Sequence, residues 1–424
     1  MYTDQACVPK EFCPFKILSI NRVHEVSGHF FSSVVDKNVS RYAFLGVEYI
    51  MAEYLYLHIP FCVRKCIYCD FLSVPYEESL AISYTAALCK ELELKKHLAG
   101  TLKTVFIGGG TPSTLPETCF SQIFSCIREN YTLSSAAEVT VEANPGAITK
   151  AKVAALLSLG VNRVSLGIQS FQDRELKTLG RIHTADEAIS SAEMLRSAGI
   201  ENFSFDLIYG IPGQGIETWN NSLSRAVSLN PKHISAYELT PEKGTVLNTL
   251  LESGILSLPG EDPVLDMYDL GIDYLESAGF GHYEISNYAL PGFHCIHNLN
   301  YWNRGEYLAA GAGAHSFLRG FRAMNTADIN EYVEKLGSEI IPEIESVEIS
   351  GDEALREFIF LGLRKTEGIR LADAGNLGLM LAEAADEMAR EGMLQNDGSL
   401  VRLTRKGLPI ANAVIIQLLG NLGL

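Results

Sequence analysis

YLYLHIPFCVRKCIYCDF, residues 54–71, holds the key to the architecture. Aromatic and aliphatic residues fill 54–59 and predict a β-strand, which Pro60 stops. Just beyond come Cys62, Cys66 and Cys69, separated by three residues and then by two. Four thiolates would close a tetrahedral zinc site or saturate an iron–sulfur cubane. Three leave one coordination position open, which a reactive metal site needs. The spacing therefore favours a [4Fe-4S] cluster with one iron free for a small molecule. Incidental cysteines, or a zinc site completed by His58, are the bland alternatives. Cys89 stands on a predicted helix, too far along the chain to join the loop.

Further along the chain, short β-branched or aromatic runs recur at 104–108, 138–143, 163–168, 203–210 and 233–239. Between them lie stretches with apolar residues at three-to-four spacing, such as ADEAISSAEMLRSAG. Strand and helix in alternation predict an α/β fold with a parallel sheet and right-handed crossovers. About six such units are too few for a closed eight-stranded barrel. They suit a partial (β/α)6 TIM-like barrel over 51–290, with its chemistry at the C-terminal strand ends. The cysteine loop, GGGTPS and EANP fall at three of those ends. A connecting segment follows over 291–349. Helices and a short hairpin around Asn396–Gly398 predict a helical, winged-helix-like module at 350–424. Residues 1–50 lack periodicity and read as a disordered extension or an upstream start.

The chain has 424 residues, 47% of them hydrophobic, and a formal charge of −17. That charge argues against salt-driven nucleic-acid binding. An odd count of nine cysteines, three of them clustered, is no disulfide framework and points to a reducing compartment. The start carries no secretory signal pattern. The most apolar long run, Tyr42 to Pro60, contains Glu48 and Glu53, which argues against a membrane span or anchor. A cytoplasmic protein is expected.

CVRKCIYC after a strand resembles the radical S-adenosylmethionine (SAM) family, and the longer string YLHIPFCxxxCxYCDF resembles its HemN/HemW branch. The resemblance runs from Tyr54 to Leu419. That branch comprises oxygen-independent coproporphyrinogen III oxidases and haem chaperones. The resemblance implies a [4Fe-4S] cluster on Cys62, Cys66 and Cys69, with S-adenosylmethionine chelating the free iron. It implies cofactor contacts at Tyr56, at Gly109, Gly110 and Thr111 in GGGTP, and at Glu142 in VEANP. It adds Gln169 in GIQSF, Arg181 in GRIHT and Asp206 in FDLIYGIP. In the oxidases a further cysteine follows the third by two positions. Phe71 stands there, as in the chaperones. HNLNYW, from His297 to Trp302, matches the chaperones' haem-linked HNxxYW motif, which implies haem as a ligand and His297 as its contact. His294, Cys295 and His315 remain alternative ligands. The expected function is haem binding and transfer to an unidentified acceptor protein, with coproporphyrinogen oxidation as the alternative and a haem-directed methyltransferase third. The sequence leaves the electron donor, SAM turnover and oligomeric state open, a homodimer included.

Overall fold

The computed structural model describes residues 51–424, so the extension read over 1–50 lies outside the described residues. Six parallel strands lie side by side in chain order: β1 Ala52–Ile59, β2 Ala99–Gly109, β3 Thr132–Ala143, β4 Arg163–Gln169, β5 Phe203–Tyr209 and β6 His233–Glu238. Each matches an expected run. The sheet then extends beyond them. After β6 it continues with an antiparallel pair, β7 Gly281–Glu284 and β8 Asn287–Ala289. On its other edge β9, Leu308–Ala310, pairs parallel to β1. The segment 291–349 thus contributes a strand to the main sheet as well as a connection.

Side-chain alternation gives the sheet two unlike faces. Val139, Val141 and Ala143 of β3 are buried on one face; Glu138, Thr140 and Glu142 occupy the other. Residues two apart share a face. Neighbouring strands continue the split. Leu55, Leu57, Val105, Ile107, Val164 and Leu166 are fully buried in the apolar set. In the polar set, Ser165 and Ser204 bond to each other at 2.8 Å, and Arg163 donates to Ser204 at 3.2 Å. One face meets the crossover helices, and the other lines the barrel interior with polar groups. This is not the apolar filling of an ordinary barrel.

The first crossover helix, α1 Glu78–Lys95, packs against the second, α2 Glu117–Asn130, on the outer side. A buried polar hub ties α1 to the β9 edge. Glu91, with no exposed surface, pairs with Lys95 at 2.7 Å. It also accepts from Gly311 N at 2.8 Å, Asn325 Nδ2 at 2.7 Å and Tyr332 OH at 2.6 Å. Two helix turns closer to the cysteine loop, Tyr84 donates to His58 O at 2.8 Å and accepts from Ala312 N at 2.9 Å. The end of β1 is therefore braced from behind.

The C-terminal module follows the expected order: helix Gly351–Gly362, helix Gly378–Arg390, hairpin Leu394–Asn396 with Leu400–Leu403, and helix Ala411–Asn421. Gly398 turns the hairpin with φ +84°. The final helix begins later than its apolar pattern suggests, because Gly407 and Pro409 interrupt the run before Ala411.

Candidate functional site

Three chain segments converge just beyond β1 and β2. The loop after β1 carries the three cysteines, all with free thiols. The glycine turn after β2 docks on that loop. Gly110 N donates to Ile59 O at 2.9 Å, and Thr111 N donates to Phe61 O at 2.8 Å. A Cβ on Gly110 would sit 2.8 Å from Phe61 O and 3.1 Å from Cys62 Sγ, so no larger residue fits this approach. Gly109 adopts φ +118°, and its N–H donates to Glu142 Oε2 at 3.0 Å.

The loop after β3 closes a chain of hydrogen bonds between two of the cysteines. Cys62 Sγ lies 3.5 Å from Thr111 Oγ1. Asn144 Nδ2 donates to Thr111 Oγ1 at 3.0 Å, and Arg181 Nη2 donates to Asn144 Oδ1 at 2.5 Å. Arg181 Nη1 donates to Cys66 Sγ at 3.4 Å, which links the two cysteines through a ring of side chains. Arg181 also bonds Gly167 O and the Tyr68 hydroxyl, while its Nε has no partner among the described residues. The sequence marks Tyr68 only as the aromatic before the last cysteine and does not mark Asn144. Both lie inside quoted motifs, EANP and CIYC, and only the fold shows what their side chains hold.

The residues present fit the cluster that the family implies. Burial pushes the Cys69 thiol up to about 11, so it favours the protonated form until a cation replaces the proton. His58 is a poor fourth zinc ligand. Its Nδ1 is held by Tyr56 OH at 3.0 Å and its Nε2 by Leu72 O at 3.1 Å. Among the described residues no three His, Cys, Asp or Glu side chains stand close enough to share a single metal ion. A cubane has no such requirement, because each thiolate holds a different iron.

The barrel interior beside the ring suits a cationic guest. Glu142 is half-buried on the polar face of β3. Burial first, and then the charge of Asp206, push its carboxyl up to about 8. Asp206 accepts from Ser165 Oγ at 3.1 and 3.2 Å, and burial raises it too. Arg163 acts on both carboxyls and Arg181 on Asp206, so burial and mutual repulsion outweigh two nearby cations; an ammonium or sulfonium guest would favour their ionised forms. Gln169 ends β4 in a left-handed conformation, φ 69°, where the register with β5 slips. Strain of this kind at a strand end re-aims a side chain. Tyr56 stacks on Phe106, with ring centroids 6.1 Å apart.

His297 lies deeper in the barrel, its ring 6.4 Å from that of Tyr56. It lies in the short helix Ile296–Trp302, whose first N–H groups are capped by Glu138: Ile296 N and His297 N each donate to it at 3.2 Å. Its ring Nδ1 meets Thr104 Oγ1 at 2.6 Å, and Nε2 meets Tyr301 OH at 2.9 Å. The imidazole stacks on Phe106 at 5.1 Å and is 1% exposed. Burial, then the Arg163 charge, lower it to about 3. Thr104 and Glu138 each precede the last residue of their strand by five positions. At about 3.3 Å per residue, His297 sits roughly 16 Å down the strands from the ring. Of the alternatives, Cys295 is fully buried, whereas His294 is exposed with its ring 4.4 Å from that of Tyr283. His315 Nδ1 is buried without a partner among the described residues.

Residues 56–226 match the Radical SAM superfamily and 349–410 match the HemN C-terminal domain, the class that a partial barrel with a three-thiol loop defines. The heme chaperone HemW of Bacillus subtilis (strain 168) is 36% identical over 377 residues, 87% of this chain and 99% of that protein. The heme chaperone HemW of Escherichia coli (strain K12) is 41% identical over 269 residues, 62% of this chain and 69% of that protein. The chain belongs to the HemW family of the Radical SAM superfamily. Among solved structures, coproporphyrinogen III oxidase (HemN) from Escherichia coli superposes with TM-score 0.75 at 21% identity, covering 88% of this chain and 90% of that one. This likeness concerns the fold alone. Among the described residues no helix is long and apolar enough to cross a membrane.

Proposed function

We propose that this chain is a haem chaperone of the cytoplasm: it carries a [4Fe-4S] cluster with S-adenosylmethionine, binds haem, and passes haem to an acceptor protein. The observation that carries this reading is the 36% identity to a heme chaperone HemW over 99% of that relative. Phe71 supports it, because it occupies the position of the oxidases' extra thiol. Cys62, Cys66 and Cys69 hold the cluster. Tyr56, Gly109, Gly110, Thr111, Glu142, Gln169, Arg181 and Asp206 surround the cofactor. Cluster and cofactor together would supply one-electron reduction of the sulfonium, with turnover slow or absent in a chaperone. The protein's own part is to exclude water, neutralise the guest's charge and orient it. For haem, His297 of the HNxxYW motif would supply the imidazole, once released from its Tyr301 hydrogen bond; His294 is the exposed alternative.

The test is anaerobic reconstitution, then iron and sulfide quantitation and haem titration by Soret absorbance. The reading expects about four irons per chain, as one cubane requires, and a saturable Soret band. His297→Ala should shift or abolish the band, and His294→Ala should leave it. Absence of haem binding by the parent sinks the chaperone reading. Protoporphyrinogen formed anaerobically from coproporphyrinogen, S-adenosylmethionine and a reductant would favour the oxidase.

A further inference from the structure

Two cysteines outside the cluster loop meet on the outer face of the barrel. Cys89 lies on α1 and Cys126 on α2, 37 residues apart in sequence. Cys126 Sγ donates to Cys89 O at 3.3 Å, which sets that sulfur against the Cys89 backbone. Neither is in a disulfide. They line a solvent-open cavity of about 510 Å³ together with Lys90, Asn130 and two carboxylates, Glu93 and Glu129; Cys126 itself is 8% exposed. Cys119, on the same helix as Cys126, is buried and does not line the cavity.

The pair is chemically asymmetric. The Cys89 thiol donates to Cys126, which raises Cys89 and lowers Cys126. Asn130 Nδ2, 3.7 Å from Cys126 Sγ, adds a second donor, while burial and the charges of Glu129 and Glu93 oppose the shift. The lower thiol is the better nucleophile near neutral pH, and its partner is placed to resolve a mixed disulfide.

We propose that Cys89 and Cys126 form a reversible dithiol site that low-molecular-weight disulfides, RSSR, oxidise to an intramolecular disulfide. Cys126 sulfur attacks one sulfur of RSSR; the S–S bond breaks, and RS⁻ leaves with the Cys126 proton as RSH. Cys89 sulfur then attacks the Cys126 sulfur and expels the second RSH, carrying the Cys89 proton. The two protein thiols lose two electrons and two protons, and RSSR gains both. The new bond staples the first two crossover helices, which follow the strands bearing the cysteine loop and the glycine turn. A dithiol reductant reverses it.

The test uses the full chain with oxidised glutathione, thiol blocking, and peptide mass spectrometry. The expected result is a Cys89–Cys126 linked peptide pair that dithiothreitol releases. Cys89→Ser should instead accumulate glutathione on Cys126. A parent that shows no such link, that keeps glutathione on Cys126, or that links either residue to another cysteine overturns the proposal. The parent measurement decides by itself, so a variant that fails to fold leaves the outcome readable.

Discussion

Arg181 bridges Cys66 and Asn144, donating to Cys66 Sγ at 3.4 Å and to Asn144 Oδ1 at 2.5 Å. A fixed cation beside one thiolate stabilises added negative charge on whatever that thiolate holds. Arg181→Met should therefore lower the reduction potential of the reconstituted cluster. For one electron the shift is about 60 mV for each 1.4 kcal/mol of lost stabilisation. Potentiometric titration followed by electron paramagnetic resonance checks it. An unchanged potential at full iron content would show that Arg181 only shapes the loop.

The close approach of the glycine turn to the cysteine loop makes Gly110→Ala a selective lesion. Its added carbon would crowd Phe61 O, Phe61 N at 3.0 Å and Cys62 Sγ. Iron retained after reconstitution should fall well below that of the parent, with far-ultraviolet circular dichroism unchanged. Gly146→Ala is the control, since nothing lies nearer than 3.8 Å to its added carbon. Equal iron in both variants would count against the docking geometry.

Lys95 is 1% exposed and shares its charge with Glu91 at 2.7 Å and Glu343 at 3.1 Å. Lys95→Met leaves Glu91 buried without its counter-ion. The expected cost is about 3–5 kcal/mol of stability. Chemical denaturation measures it. Adding Glu91→Gln to the same chain should recover part of the loss. If the double variant is less stable than Lys95→Met, the unpaired Glu91 charge is not what destabilises the single variant.

Stability should fall in acid. Burial lowers His58 and His183 to about 4 and His297 to about 3, and it lowers His233 as well. Free imidazole titrates near 6.5, on the order of an unperturbed side chain. Below that pH the unfolded chain binds protons that the folded chain refuses, so each group removes up to about 1.4 kcal/mol per pH unit until its folded value is reached. The urea midpoint should drop between pH 7 and pH 5. Glu142 has the opposite sign. Its carboxyl, raised to about 8, stays protonated in the fold while the unfolded chain has ionised, so stability declines as pH rises towards 8. Glu142→Gln should flatten the limb between pH 7 and pH 8. A midpoint that is level across pH 5 to 7 would contradict the buried neutral imidazoles.

The six-strand rhythm, the strand end that carries the cysteines and the C-terminal hairpin were all legible in the order of residues. These features are local: period-two runs, Pro60, and the turn at Gly398 act over a few positions. EVTVEA even encoded the two faces of β3, since alternation needs no partner to define it. Motif likeness then pointed to Thr111, Glu142 and Arg181 as site residues. The folded chain was needed to show that Asn144 and Arg181 join Thr111 in one ring between Cys62 and Cys66, because those hydrogen bonds span 33 to 115 residues of chain. It likewise placed His297 deep against Thr104, 193 residues away, with both ring nitrogens engaged. It brought Cys126 to Cys89, which the sequence could only describe as too distant for the loop. Side-chain pairing across a barrel depends on strand register and helix packing, which are set by the whole core and leave no short-range trace in the chain.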